Sequence, residues 1–437
     1  MIDLVDNQRS VELSKSEIED FLPLANKDIK KLCEENERLL VFPHSLNMSN
    51  DKIELNPLFV VEDYKKESLK VKTGNIMGFI GSNGKRMRIR SRFDKNGDKD
   101  FFLHYMLQKV LSINMFDLNH GSSQDEVLDL LELLFPSFLH KALEQGIYRE
   151  YKRYEHNDAN IRGVIDVSRH IGQNIPFQGK VAYITREHTT NNDVMQLIRH
   201  TIEHIKRRQF GSSLLTDCKE VADDVKLVYS LTSSYNRNER QRIILKNLRP
   251  VTHPYYTDYR PLQQLCLQIL RQENIMYADN DNEICGLLFD GAWLWEEYVA
   301  TLLMGKNFKH PKNKKRKEGK CIFKNHKGIR YPDFYIENFV LDAKYKKFES
   351  YDDASGVGRE DIHQLVTYMY MLKSKKSGFV FPITNNSENR TPLELNGYGG
   401  WMYMYGIEIC NNTDDYEIFC EEMKRAEIVF VDSINEK

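Results

Sequence analysis

The hydrophobic pattern divides the chain into three stretches of different period. From residue 1 to about 98, short apolar runs alternate with turn signals after a capped helix over 14–21, so this part reads as β-rich. Its sharpest element is a hairpin in which an apolar run from Asn75, a turn at Gly81-Ser-Asn-Gly84 and a basic strand to Phe93 follow one another. In that second strand Arg86, Arg88, Arg90 and Arg92 fall on one face, and Met87, Ile89 and Phe93 on the other. From about 99 to 285 the period becomes helical, as in Phe101, Phe102, Tyr105 and Met106 and then Leu131 and Leu134. A polar, turn-rich insert at 154–170 and the stretch 179–187 fit short strands, and further helices are predicted over 193–208 and, after Pro261, over 262–272. From Cys285 the pattern reads helix, hairpin, helix, strand, strand: an apolar stripe of Leu294, Tyr298 and Leu302, a hairpin over 330–345, a helix over 356–372, and strands over 377–382 and 401–410. The expectation is an α+β chain of three domains: a β-rich one at 1–98, a largely helical one at 99–285, and an α/β one at 286–437.

Composition changes this picture little. With 41% hydrophobic and 29% charged residues and a formal net charge of -2, the chain has the make-up of a globular protein that can bury several cores. Overall charge does not announce nucleic-acid binding, so any such affinity must be confined to patches. The first residues lack the basic and apolar regions of a signal peptide, and no apolar run approaches membrane length, so a cytoplasmic protein with no membrane association is expected. The seven cysteines are odd in number and never form C-x-x-C, which argues against a zinc site or a disulfide framework.

One segment reads as chemistry. In Arg330 to Tyr345, Asp342 and Lys344 share a strand face, and a two-residue turn at Glu337-Asn338 would set Asp333 opposite Asp342. Two carboxylates about 4 Å apart repel by roughly 4 kcal/mol at an effective dielectric of about 20. A divalent cation reverses that sign. Hard oxygen ligands from Asp333 and Asp342 suit Mg²⁺, and water activated beside Lys344 is a nucleophile suited to a phosphodiester. The bland reading of the same spacing is a solvated surface hairpin.

Other candidates weigh less. The arginine stripe is either a solvated sheet face or a surface for an acidic partner. Lys306 to Lys320 holds eight basic residues, Lys314, Lys315 and Arg316 among them, against Glu318 alone, and is either a solvated loop or a phosphate-backbone contact. His200 and His204, four apart on a predicted helix, lack a third ligand and are read as surface histidines. The segment from Gly78 to Arg86 imitates a phosphate-binding loop. It fails because its glycine spacing is one residue too long and Arg86 stands where Ser or Thr should hold Mg²⁺. Any nucleotide-driven motor must therefore be another polypeptide.

A helix bearing Glu, then Pro-Asp, then Asp-x-Lys, then a helix with Gln-x-x-x-Tyr resembles the PD-(D/E)xK nuclease superfamily in the arrangement of RecB-like nucleases. Leu294-Trp-Glu-Glu-Tyr-Val299 is similar to the Leu-Phe-Glu-x-Tyr-Val signature of the McrC family, the nuclease subunit of modification-dependent McrBC restriction systems. Arg330-Tyr-Pro-Asp333, Asp361-x-x-Gln364 and Arg162-Gly-Val-Ile-Asp-Val167 fit the same family, with Ser91 a departure where the family often has Pro. The resemblance implies a C-terminal PD-(D/E)xK domain with metal bound by Asp333, Asp342 and Glu296. Lys344 would stabilise charge or activate water, and Gln364 would support it. Tyr368 and Lys346 join Lys314, Lys315 and Arg316 as DNA contacts, and Arg86, Arg88, Arg90 and Arg92 would face the partner. That partner is an AAA+ GTPase of the McrB type, which binds the GTP that this chain does not. The implied activity is Mg²⁺-dependent cleavage of double-stranded DNA, with Mn²⁺ as the alternative ion, in a GTP-dependent, 5-methylcytosine-type restriction complex. The competing reading is a non-catalytic adaptor that binds and activates the motor.

Overall fold

The computed structural model describes residues 2–36, 39–43, 57–62, 68–82, 85–95, 100–111, 125–208, 211–216, 218–275, 284–311, 319–347, 357–384, 392–397, 399–411 and 413–435. It is a mixed α+β protein with several sheets, in two compact units. One unit is Leu128–Ile275; the other is assembled from both ends of the chain, Met1–Val127 with Met276–Lys437. No described helix is long and apolar enough to cross a membrane.

The two-ended unit contains a five-stranded sheet in the order Ile2–Val5, Lys85–Arg90, Ile76–Ser82, Ile284–Asp290, Leu39–Phe42. The hairpin read from the sequence is present, with Ser82 opposite Lys85 and Gly78 opposite Ile89. The run that was expected to open the last domain is an inner strand of this N-terminal sheet, antiparallel to Ile76–Ser82 and parallel to Leu39–Phe42. Leu287, Leu288 and Phe289 are buried in succession, and only a strand covered on both faces accommodates such a run. Gly78 permits the close approach of the two strands: its φ is +130°, and a Cβ there would lie 2.1 Å from the Leu287 carbonyl oxygen. Asp290 then ends the strand and caps helix Gly291–Leu303, accepting from Ala292 N at 2.9 Å, so the sheet leads straight into the helix that carries Glu296.

A second five-stranded sheet runs Phe334–Ile336, Phe339–Ala343, Lys376–Ile383, Trp401–Glu408, Leu393–Glu394. Its three inner strands are parallel. Helix Arg359–Leu372 packs through Leu365, Tyr368 and Met369 onto Phe379, Phe381, Met402 and Met404. The predicted order of helix, hairpin, helix, strand and strand is therefore present. Helix Tyr416–Asn435 lies beyond the last predicted element and buries Phe419, Met423 and Phe430 at helical spacing. Its Glu427 is buried as well, accepting from Tyr105 Oη at 2.7 Å and Tyr298 Oη at 2.9 Å.

In the other unit the predicted strands form a three-stranded antiparallel sheet, Glu150–Asp158, Val181–Thr189, Val164–Ile165. Helix Asp193–Ile205 starts at Asn192, whose side chain accepts from Met195 N at 3.0 Å. The two histidines on this helix are not surface residues. His200 is 4% exposed against the Tyr235 ring, and half-buried His204 lies 3.2 Å from the buried Glu132 carboxylate. The helix is enclosed on several sides, burying Gln196 and Thr201 along with Ile198, Ile202 and Ile205, so polarity alone does not place its residues at the surface.

Candidate active site

The hairpin pairs Phe334 with Leu341 and Ile336 with Phe339 around Glu337-Asn338, the register expected from a two-residue turn, with Asn338 at φ 61°. One step further, Asp333 stands opposite Asp342, and its Oδ2 accepts from Ala343 N at 2.8 Å. Asp342 and Lys344 do share a face: Lys344 Nζ is 2.7 Å from Asp342 Oδ2. Asp342 has no exposed surface, and its Oδ1 has no hydrogen-bond partner among the described residues.

Helix Arg359–Leu372 brings up the next group. Lys344 Nζ donates to Gln364 Oε1 at 3.2 Å, Gln364 Nε2 to Tyr368 Oη at 2.8 Å, and Tyr368 Oη to the Tyr331 carbonyl at 3.1 Å. Gln364 and Tyr368 meet because residues four apart share a helix face. Asp361, on the same helix, lies 3.5 Å from Lys344 Nζ and 2.6 Å from Lys346 Nζ, so Lys346 is engaged by an acid on its own unit. Lys314, Lys315 and Arg316 lie outside the described residues.

Glu296 and Glu297 come from helix Gly291–Leu303, and His310 joins them to the hairpin. Its Nδ1 donates to the Asp333 carbonyl at 2.8 Å and lies 4.0 Å from Glu296, its Nε2 lies 3.9 Å from Glu297, and its ring stacks on Phe334. A lone histidine inside a lysine-rich run carries no spacing signal, so nothing in the sequence singles out His310.

The electrostatics are those of a site with too much buried negative charge. Burial first, and the Glu296 carboxylate second, push Asp333 up to about 7. Burial and then Asp333 push Asp342 up to about 8. Burial opposes the charge on Lys344, but Asp342 and Asp333 outweigh it and hold the ammonium above its ordinary value. For His310 burial again opposes the charge, yet Glu297, the Asp333 carbonyl and Glu296 together raise it to about 9. A hard cation would relieve this repulsion, and the partnerless Asp342 Oδ1 is an oxygen free to meet one. Among the described residues no three His, Cys, Asp or Glu side chains are gathered about one point. The donors present thus fit a cation held by the two aspartates and completed by water, with Glu296 near enough to act on Asp333.

Three arginines of the stripe, Arg88, Arg90 and Arg92, are engaged within their own unit. Arg88 is 3% exposed and forks onto Asp3, the residue opposite it on the neighbouring parallel strand, and Arg90 shares that carboxylate at 3.0 Å. Arg92 pairs with buried Asp6 at 3.1 Å, donates to the Tyr345 carbonyl, and lies 4.6 Å over the Tyr345 ring. Tyr345 is itself buried, its hydroxyl 2.7 Å from Ser91 Oγ, so the residue after Lys344 is clamped by the N-terminal sheet's continuation.

The site is thus a buried Asp–Asp–Lys cluster on the edge hairpin of a mixed sheet, braced by one helix through Gln364 and flanked by another through Glu296. The chain belongs to the family described as McrBC 5-methylcytosine restriction system component, whose model matches residues 71–382. No curated protein matches it in sequence. Among solved structures it is similar to a chain of the Thermococcus gammatolerans half-complex described as McrB AAA+ hexamers with bound McrC. That match has 15% identity and a TM-score of 0.53, and it covers 100% of this chain and 99% of that one. A second match, to the Thermococcus gammatolerans McrBC complex, has 15% identity and a TM-score of 0.33 over 69% of this chain and 87% of that one.

Proposed function

We propose that this chain is the DNA endonuclease subunit of a GTP-dependent restriction complex directed at 5-methylcytosine-type modification, with Asp333, Asp342 and Lys344 as its cleavage centre. The observation that carries the reading is that Lys344 Nζ lies 2.7 Å from Asp342 Oδ2 and 3.2 Å from Gln364 Oε1, with Asp333 held on the paired strand by Ala343 N and with a buried Asp342 Oδ1 that has no hydrogen-bond partner among the described residues. Asp333 and Asp342 would hold Mg²⁺, or Mn²⁺ in its place, with Glu296 in support; the ion supplies positive charge against that developing on the phosphodiester. Lys344, tethered by Gln364 and Asp361, keeps its ammonium beside the same space to stabilise a phosphoryl oxygen or orient water. Tyr368 fixes Gln364 and joins it to the main chain at Tyr331. The family membership, and the fold shared with a chain of an assembly of McrB AAA+ hexamers with bound McrC, support an AAA+ protein of the McrB type as partner; that partner would bind the GTP, and this chain would stimulate its hydrolysis. The test is cleavage of modified duplex DNA by this chain with that partner, GTP and Mg²⁺, wild type against Asp342→Ala, with GTP turnover followed in parallel. Loss of cleavage with GTP turnover retained is expected. If neither protein cuts while both raise GTP turnover, the chain is an adaptor.

A further inference from the structure

A basic ribbon leads into the acid cluster and takes no part in the interactions described above. Lys320–Cys321 and Ile329–Arg330 pair antiparallel, with Lys320 opposite Arg330. The turn between them is closed by Ile322 N to Gly328 O at 3.1 Å, Phe323 N to Lys327 O at 3.2 Å, and His326 N to Phe323 O at 3.1 Å. It is a built hairpin. From Gly319 to Tyr331 the sequence carries Lys320, Lys324, Lys327 and Arg330 and no acid. All four are exposed, and none pairs with an acid among the described residues. At the tip Phe323 is 60% exposed, an aromatic held in water by its own turn.

The base of this ribbon is fixed to the cluster. Tyr331 follows Arg330 directly, and its carbonyl receives the Tyr368 hydroxyl at 3.1 Å, the last link of the chain through Gln364 to Lys344. Gly319 lies under the Tyr331 ring, where a Cβ would come within 2.6 Å of it. A two-stranded ribbon is one of the few protein elements that fits the major groove of duplex DNA, and cations flanking an exposed aromatic suit a phosphate backbone and the bases between its strands.

We propose that the 320–330 ribbon is a duplex-DNA contact, with Lys324 and Lys327 meeting backbone phosphates and Phe323 packing on sugar and base. That it leads the strand to Asp333, Asp342 and Lys344 rests on the nuclease reading; that it binds DNA does not. The experiment is fluorescence anisotropy of a labelled DNA duplex with the full-length chain across a salt series. A Lys324→Gln/Lys327→Gln variant should bind more weakly, with its plot of log affinity against log salt flattened by about 1.8, two phosphate contacts at about 0.9 each. Phe323→Ala, which removes apolar surface buried against sugar and base edges, should weaken binding by about tenfold with the salt slope unchanged. These three side chains are exposed, so thermal unfolding should match wild type. Wild-type affinity and slope in the double-lysine variant would overturn the proposal. Cleavage by Asp342→Ala, measured alongside, separates the two readings. Ribbon variants that bind normally while Asp342→Ala fails to cut remove the ribbon alone. Ribbon variants that lose binding while Asp342→Ala still cuts support the ribbon and remove the cleavage centre.

Discussion

Replacing Arg92 with methionine tests the buried clamp between the N-terminal sheet and the hairpin. Asp6, 1% exposed, would lose the guanidinium 3.1 Å away, and the Tyr345 carbonyl would lose a donor. Removing one partner of a buried pair costs about 3–5 kcal/mol. Protonation of Asp6 limits that loss. In the wild type, burial already pushes its pKa up to about 6 against the attraction of Arg92, from an ordinary 3.8. Because the folded value is raised, this group's contribution is full below 3.8 and is lost as pH rises through 6, about 3 kcal/mol in all. Without Arg92 the value climbs further, so the deficit of the variant opens above pH 6 and is small at pH 5. All three tryptophans, Trp293, Trp295 and Trp401, belong to the unit that holds the pair, so urea unfolding followed by tryptophan fluorescence reports on it. The expected deficit is about 3–5 kcal/mol at pH 8 and less than half of that at pH 5. A deficit below about 1 kcal/mol at both pH values, or one equal at both, would mean that Arg92 does not hold Asp6 ionised in a buried pair.

Other perturbations follow from single contacts. Gly78→Ala drives a methyl group against the Leu287 carbonyl oxygen at 2.1 Å in a left-handed backbone, so it should destabilise the two-ended unit by more than about 3 kcal/mol, read by the same fluorescence assay; a loss under 1 kcal/mol would mean the strands can part cheaply. Glu427→Leu strips the acceptor from the Tyr105 and Tyr298 hydroxyls and should cost about 2–4 kcal/mol, whereas an unchanged urea midpoint would show that water serves them equally well. His200, held down to about 4 by burial first and Arg240 second, stabilises its unit above its ordinary 6.5 and loses that contribution as pH falls toward 4. His200→Phe should flatten the acid limb of thermal melting followed by circular dichroism, and parallel limbs would count against the assignment.

The hairpin was legible because a two-residue turn leaves one register and strand alternation leaves one pairing of faces. Asp333 opposite Asp342, and Asp342 beside Lys344, follow from those two facts alone. What sequence reasoning missed lies in contacts between distant segments. The arginine stripe looked free because Asp3 sits 85 residues before Arg88 and is brought opposite it only by a parallel strand pairing. The strand Ile284–Asp290 carries an apolar run that fits any buried strand, and nothing local says that its neighbours are residues 39–42 and 76–82. His200 and His204 looked like surface residues because histidine is polar, whereas their burial depends on how many elements surround the helix. His310 needed the fold to place it between Glu296, Glu297 and the Asp333 carbonyl.

The measurement closest to the central claim is single-turnover cleavage of modified duplex DNA by the assembled complex carrying Asp342→Asn, a change of one charge at nearly constant shape. With Mg²⁺ and GTP supplied, the cleavage rate should fall by about a thousandfold while GTP turnover stays near wild type. Cleavage within about tenfold of wild type would contradict that claim, since a single catalytic contact of this kind is worth at least about a hundredfold.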